Sequence, residues 1–252
     1  MTSNLMYRYI DMLKFEIETL CRQIFLNIGK ENYVAINQKE VTYYLQIFGA
    51  ITHQNISDSF TTNLMELCAE HKNFDIAYQQ LLMKTNLLNL QAENKKPSIG
   101  RYWDLIHLLS FVVDDIVSKR HKYDYKLVDN KIQNLYRLIA NIYVKLGCSV
   151  CVEHYLLVRG MLLEPIERLR VSMLLEYRGM DIQTVPLNED DDTAKVIPQN
   201  LCLYTSFRMH NHINNFRMIQ RYKADSSVIQ QTKQLQLYNP LVWSDYKKLL
   251  FE

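Results

Sequence analysis

The sequence has 252 residues, of which 48% are hydrophobic and 22% are charged, and both values are ordinary for a folded globular protein. Lys and Arg total 29 against 27 for Asp and Glu, which gives a formal net charge of only +2. That balance argues against a dedicated nucleic-acid binder, because such proteins need a concentrated basic surface. The six glycines are too dispersed to form a GxGxxG fingerprint or a P-loop, which excludes the nucleotide-binding α/β folds built on those loops.

The amino-terminal segment MTSNLMYRYIDMLKFEIETL carries charges throughout and lacks the apolar core of a secretory signal. No run of about 18 consecutive apolar residues occurs, so we expect no membrane insertion. The five cysteines are an odd and sparse set, unlike the disulfide framework of a small secreted domain. These features together predict a protein that is not secreted.

The low Gly and Pro content and the scarcity of alternating apolar and polar residues predict an all-α fold. The polar stretch QAENKKPSIG, at residues 91–100, interrupts the helical pattern and indicates a domain boundary. We therefore assign residues 1–95 to an N-terminal helical domain and residues 96–252 to a second helical domain.

The second domain opens with Trp103 and His107, at the start of the apolar segment WDLIHLLSFVVDDIV. Residues four apart share one face of a helix, so these two rings can line one side of a planar ligand. An isolated WxxxH more often marks a core tryptophan and a histidine with a local hydrogen bond, and the spacing alone leaves both interpretations open.

A stripe of apolar residues from Ile132 to Leu146 predicts a helix that ends at Gly147, and Cys148-Ser-Val-Cys151 follows at once. At a helix start this separation places both sulfurs on one side within disulfide reach. The first sulfur then lies near the positive end of the helix dipole, which stabilises a thiolate. The CxxC alone leaves three interpretations open, which are redox chemistry, two core cysteines and half a zinc site. A further helix is predicted to begin at Pro165.

A long helix is predicted from just after Pro198 to about Lys223, and it contains His210, Asn211 and Asn214. Asparagine is a poor helix former, yet three asparagines occur here with two histidines. Apolar residues flank this group of hydrogen-bonding side chains, which disfavours a simple solvated surface. The pattern favours recognition of a polar ligand.

The order WxxxH, CxxC and HNxxN on successive helices resembles the Erv/ALR-type FAD-linked sulfhydryl oxidases. The wider sequence is still more similar to the baculovirus-type sulfhydryl oxidases of large insect DNA viruses. It rests on four phrases: WDLIHLLSFVVDDIV, CSVC followed by His154-Tyr155, RMHNHINNFRMIQR and WSDYKKLL. It covers about residues 100–252. Residues 1–95 carry no motif and would correspond to the additional helical domain of that viral type, for which one interpretation is a degenerate oxidase-like bundle.

The resemblance implies a four-helix bundle that holds FAD without a covalent link. Cys151 would be the cysteine proximal to the flavin, and Cys148 would be the distal cysteine that faces the substrate. The implied cofactor-binding residues are Trp103, His107, Cys151, His210, Asn211, Asn214, Arg221, Trp243 and Tyr246. The matches of Trp243 and Tyr246 are looser. These two residues lie in the closing segment, where the family has late aromatic contacts with the cofactor. The lysine that follows HNxxN in cellular members has no counterpart here, and Arg217 or Arg221 would supply the phosphate charge instead.

The implied activity is oxidation of protein dithiols by a CxxC disulfide and FAD, with O2 as the electron acceptor and hydrogen peroxide as the product. The implied partners are thiol-containing proteins, in particular viral structural proteins, and the implied assembly is a homodimer. No metal is expected. The implied location is the cytoplasm and nucleus of the host cell, with packaging in the virion as a further option.

Two other functions fit part of the sequence. In a zinc module, Cys148 and Cys151 would be completed by His154, His210 or His212, which leaves Trp103 and the asparagines without a role. A non-catalytic helical scaffold of the virion would leave the intact CxxC unexplained.

Overall fold

The computed structural model describes residues 4–57, 59–96, 98–182, 197, 199–223 and 241–251, except for the side chains of residues 99, 216–223 and 251. This part of the chain contains ten α-helices and no β-strand, which confirms the all-α prediction for the described residues. None of these helices is both long enough and apolar enough to cross a membrane. The helices are α1 (Asn4–Leu26), α2 (Glu31–Thr52), α3 (Phe60–Glu70), α4 (Phe74–Lys84), α5 (Ile99–Ser118), α6 (Tyr125–Asn141), α7 (Ser149–Val158), α8 (Gly160–Tyr177), α9 (Leu201–Lys223) and α10 (Trp243–Phe251).

The chain divides into two compact units, and the division falls between Leu105 and Ile106, inside α5. The domain boundary between residues 95 and 96 stays a prediction. Each unit has its own buried apolar residues, which is what an independent hydrophobic core requires.

In the N-terminal unit, α1 packs along α2, and α3 packs on α4. The largest fully buried side chains come from all four helices and include Tyr9, Tyr44, Phe48, Phe60 and Tyr78. Local capping begins α4, because the Asn73 side chain accepts hydrogen bonds from two backbone N–H groups of the first turn.

The polar stretch between α4 and α5 is bound to α1 by charged groups. The Asp11 carboxylate accepts the backbone N–H groups of Glu93 and Asn94 and pairs with Arg101, and Glu18 pairs with Lys95. These contacts place the stretch and the first turn of α5 in the N-terminal unit, although their composition resembles that of a linker.

In the C-terminal unit, α6 packs on α8 and α8 packs on α9. The α6 face towards α8 buries Ile132, Leu135 and Ile139, while the predicted stripe positions Leu138 and Leu146 are only half-buried. The Asp124 carboxylate caps the first turn of α6, where it accepts the backbone N–H of Lys126.

Two predicted helix limits are wrong. Helix α6 ends at Asn141 instead of Gly147. A 3₁₀ turn, Ile142–Lys145, follows it, and the side chains of Tyr155 on α7 and Arg159 just after α7 bind the last α6 carbonyls. Helix α8 begins at Gly160, so Pro165 lies inside it. The chain is already helical there, since Arg159 between α7 and α8 has helical backbone angles.

Candidate functional site

The CxxC lies at the N-terminus of α7, as the sequence predicts. Cys148 is the N-cap residue, and its sulfur accepts a hydrogen bond from the backbone N–H of Cys151 at 3.3 Å. Both cysteines are partly exposed. A sulfur at this position lies at the positive end of the helix dipole and accepts a hydrogen bond from an N–H group, and both interactions stabilise the thiolate.

Helix α7 is fixed to the end of α6 by two side chains. The buried Tyr155 hydroxyl donates to the backbone carbonyl of Ile139, and the Arg159 guanidinium donates to the carbonyl of Ala140 at 3.1 Å. The last carbonyls of a helix lack their usual i+4 partners within it, and the Ile139 carbonyl also accepts the N–H of Ile142. The two side-chain bonds join the end of α6 to the CxxC helix and set the position of that helix.

Helix α7 also meets α9 through two histidines. The ring centroids of His154 and His212 lie 5.6 Å apart with an interplanar angle of 30°. Burial lowers the pKa of His154 from its usual value, and the neighbouring His212 lowers it further. His154 follows Cys151 by one helical turn, so a neutral imidazole lies on the CxxC helix close to the second cysteine.

The buried core of the site is a chain of three side chains that joins α5 to α9. His107 Nδ1 lies 3.1 Å from the Ser206 hydroxyl, and His107 Nε2 lies 3.0 Å from His210 Nδ1. Ser206 is fully buried and His107 is nearly so. Two of the predicted residues, His107 and His210, are thus in direct contact.

Aromatic rings of α9 and α10 surround this chain. Tyr246 lies 5.4 Å from the His107 ring and stacks on Phe207, and Trp243 packs on Tyr204, Phe207 and Tyr246 at centroid distances of 5.1 to 5.7 Å. The two predicted late aromatic residues therefore join the two predicted histidines.

Asn211 connects α9 to the closing segment of the chain. Its side-chain amide donates to the backbone carbonyl of Leu241 at 3.0 Å, two residues before α10 begins. This bond positions α10, and with it Trp243 and Tyr246. Asn214 is half-buried on the same helix.

The other predicted site residues have different locations. Trp103 is buried on α5 within the N-terminal unit. The side chains of Arg217 and Arg221 lie outside the described residues, although both positions belong to α9. Pro198 also lies outside them. No described distance tests the assignment of Cys151 as proximal and Cys148 as distal, so it stays a prediction.

The three remaining cysteines differ chemically from the CxxC pair. Cys21, Cys68 and Cys202 are buried, and burial raises the pKa of each thiol, to about 11 for Cys68. A raised pKa keeps a thiol protonated and unreactive. Among the described residues, no group of three or more His, Cys, Asp or Glu side chains has the arrangement of a metal site, so the zinc interpretation has no complete ligand set there.

Sequence reasoning missed several residues of the site: Asp114, Tyr155, Tyr204, Ser206 and Phe207. A helical wheel could have found Ser206 and Phe207, since they lie one turn before His210 and Asn211. Nothing in the sequence marks Asp114, whose carboxylate accepts two backbone N–H groups at the start of α9.

Comparison with known proteins gives three matches. Residues 3–252 match the family model described as Baculovirus P33. The chain is 30% identical over 187 residues to the FAD-linked sulfhydryl oxidase of Autographa californica nuclear polyhedrosis virus, covering 71% of this chain and 69% of that protein. It is 25% identical over 249 residues to the 33 kDa early protein of Orgyia pseudotsugata multicapsid polyhedrosis virus, covering 84% and 85%.

Proposed function

The chain belongs to the Baculovirus P33 family, and from this premise we propose that it is an FAD-dependent thiol oxidase that introduces disulfide bonds into protein dithiols. One observation carries the proposal: Cys148 is the N-cap of α7 and its sulfur accepts the Cys151 N–H. The three other thiols are buried with raised pKa values, so the CxxC is the chemically suited pair among the described residues.

The residues around His107 suit a flat, partly polar cofactor. The rings of Phe207, Trp243 and Tyr246 offer apolar faces, and the histidines offer ring nitrogens for hydrogen bonds. We propose that the cofactor is FAD, bound without a covalent link by Trp103, His107, Cys151, His210, Asn211, Asn214, Arg221, Trp243 and Tyr246. When bound, the flavin would supply the redox chemistry, taking two electrons from the reduced CxxC and passing them to O2, which becomes hydrogen peroxide.

The protein's own part of the reaction is thiol–disulfide exchange. A substrate thiolate attacks the Cys148 sulfur of the Cys148–Cys151 disulfide, which forms a mixed disulfide and releases Cys151 as a thiolate. The second substrate thiolate then attacks the substrate sulfur of the mixed disulfide, which releases the Cys148 thiolate and leaves the substrate oxidised. The α7 N-terminus stabilises the thiolate at Cys148, and the neutral imidazole of His154 is suited to accept a thiol proton.

The finer features of the proposal follow from the same family. We propose that α5, α6, α8 and α9 form the four-helix bundle that holds FAD, and that the assembly is a homodimer. The substrates would be viral structural proteins with paired thiols. The location would be the host cytoplasm and nucleus, with packaging in the virion as a further option.

The test is a set of matched cysteine variants of the purified full chain. The wild-type protein should show flavin absorbance, acid precipitation should release the flavin into the supernatant, and dithiothreitol should drive oxygen consumption. Cys148→Ser and Cys151→Ser should each abolish oxygen consumption and keep the flavin. Cys68→Ser is the control, since its buried thiol lies far along the chain in the N-terminal unit and should leave the rate unchanged.

Three results would contradict the proposal. Colourless wild-type protein with stoichiometric zinc would favour the zinc module. Colourless protein without metal or oxygen consumption would favour a scaffold. Full activity in both CxxC variants would show that another pair of thiols reacts.

A further inference from the structure

The outer face of the CxxC helix α7 is apolar, whereas the outer face of a surface helix is usually polar. Val150, which lies between the two cysteines, is 48% exposed, and Leu157, two turns later on the same face, is 83% exposed. Glu153, between them, is the only carboxylate of α7. Exposed apolar side chains that cluster in this way mark a surface that binds another molecule.

The apolar surface continues on the other side of Cys148 in the chain. Val144 is 71% exposed and belongs to the 3₁₀ turn Ile142–Lys145, which packs against α7. Gly147 comes directly before Cys148, and a Cβ on Gly147 would have no described atom within 4 Å beyond its neighbours in the chain. The backbone next to Cys148 is therefore open to an approaching polypeptide.

The chemistry at Cys148 determines which molecule contacts this surface. In a mixed disulfide the two Cα atoms lie about 4.4–6.8 Å apart, and consecutive Cα atoms of the substrate lie about 3.8 Å apart. A substrate residue beside the reacting cysteine is therefore within reach of Val150, two residues after Cys148. A permanent partner on Val150 would obstruct the substrate, so the surface suits a transient occupant.

We propose that Val144, Val150 and Leu157 form a docking surface for the cysteine-bearing segment of the substrate protein, and that this surface favours a segment with apolar residues beside the cysteine. The identity of the substrate rests on the proposed function, in which a substrate thiolate attacks Cys148. The preference for apolar neighbours rests on the exposed side chains around that sulfur.

The test measures thiol–disulfide exchange at Cys148 without flavin turnover or O2. In full-length Cys151→Ser protein, the Cys148 thiolate attacks the peptide sulfur of a peptide–thionitrobenzoate disulfide. A protein–peptide disulfide forms and thionitrobenzoate is released, because the aromatic thiol has the lower pKa and leaves faster. Two peptides, blocked at both ends, carry either Leu or Ser on both sides of a single cysteine. Their rates with N-acetylcysteine correct for intrinsic reactivity, and protein with Ser at both CxxC positions gives the background rate.

Val150→Ser in this background is the test variant, and Val171→Ser is its matched control. Val171 is 44% exposed on α8, and the neighbouring Arg170 pairs with Asp129 near the start of α6. The CxxC follows the other end of α6, and about 18 Å of helix separate Asp129 from that end. The control therefore removes a similar apolar surface from a distant part of the same unit.

The parent protein and Val171→Ser should react about five-fold faster with the Leu peptide than with the Ser peptide, since burial of roughly 40 Å² of apolar surface has an effect of this size. Val150→Ser should lower this ratio to less than about two-fold. Equal ratios in Val150→Ser and Val171→Ser would overturn the proposal. If Val150→Ser instead converts a dimer to a monomer in sedimentation and leaves the ratio unchanged, the surface binds a second copy of the chain and the proposal is also wrong. Wild-type protein without flavin or oxygen consumption would contradict only the proposed function, since the exchange rates are measured either way.

Discussion

Asp114 on α5 caps α9 through the backbone of Cys202. The Asp114 Oδ1 atom accepts the Cys202 N–H at 3.0 Å, and Oδ2 accepts the next N–H, that of Leu203, at 2.8 Å. The first N–H groups of a helix have no partner within it, and a carboxylate there also complements the helix dipole. Two turns before Asp114, His107 contacts Ser206 and His210 on α9. The Asp114 cap and the His107 contacts thus fix how far α5 is shifted along α9.

We expect Asp114→Asn to lower the free energy of unfolding by about 1–3 kcal/mol, because the amide nitrogen of Asn cannot accept one of the two buried N–H groups. Asp115→Asn is the control. Asp115 is exposed and pairs with Lys119 one turn away, so its replacement should change stability by at most about 0.5 kcal/mol. Urea unfolding measures both, and equal effects would show that the cap does not stabilise the fold.

The same carboxyl should make stability depend on pH. Complete burial raises the pKa of Asp114 to about 7, and this outweighs the two N–H donors, which lower it. The unfolded pKa is about 3.9, so between these values only the folded state holds the proton. The Asp114 contribution is therefore full below about pH 4 and is lost as the pH rises to about 7. The difference in unfolding free energy between wild type and Asp114→Asn should shrink from pH 5 to pH 7.5, and growth of this difference would contradict the assigned pKa.

The sequence indicates a site residue when the features that identify it lie close to it in the chain. Cys148 is identifiable from its spacing to Cys151 at a helix start, and His210 from its unusual neighbours. Asp114 could not be identified, because its role depends on backbone N–H groups 88 and 89 residues away that only the packing of α5 on α9 brings near. Its sequence neighbours are ordinary core residues.

We expect Tyr155→Phe to displace the CxxC helix with a modest loss of stability. The variant keeps the ring and removes the hydroxyl that binds the Ile139 carbonyl, which costs about 1 kcal/mol because that carbonyl also accepts a backbone N–H. Dithiothreitol oxidation should slow while flavin content stays constant. Tyr177→Phe is the control, since Tyr177 is exposed and its ring stacks on that of Tyr125. Equal rates in the two variants would show that this anchor does not position the CxxC.

The pKa of His154 should rise when its neighbour is removed. In His212→Ala the second imidazole no longer opposes protonation, and the ring of His154 gains solvent. NMR titration of the histidine ring protons should show the His154 midpoint at higher pH than in wild type. His121→Ala, which removes an exposed histidine of the turn after α5, should leave the midpoint unchanged. In wild type the pKa of His154 is lower in the folded state than the value of about 6.5 in the unfolded state. His154 therefore lowers the free energy of unfolding as the pH falls below about 6.5 and has no such effect above it.

The helices themselves were easier to predict than their limits. Low Gly and Pro content and the apolar stripe on α6 indicate the elements, whereas the end of α6 depends on Tyr155 of the next helix and on Arg159 just after that helix. The stretch at residues 91–100 has the composition of a linker. Composition does not show that α1 carries Asp11 and Glu18 at the positions that bind it.

Disruption of the buried ion pair between Asp11 and Arg101 should cause the largest loss in unfolding free energy among the variants considered. Their side chains are 10% and 9% exposed, the Nη2–Oδ2 distance is 2.9 Å, and Asp11 also accepts the backbone N–H of Glu93 at 2.7 Å. Asp11→Asn leaves the Arg101 charge buried without its counter-ion, which should cost about 3–5 kcal/mol. Glu66→Gln breaks the exposed pair with Lys84 in the same unit and should cost at most about 1 kcal/mol. Urea unfolding compares the two variants, and limited proteolysis should show faster cleavage near residues 93–96 only in Asp11→Asn. Similar losses in both would mean that α1 does not hold this stretch in place.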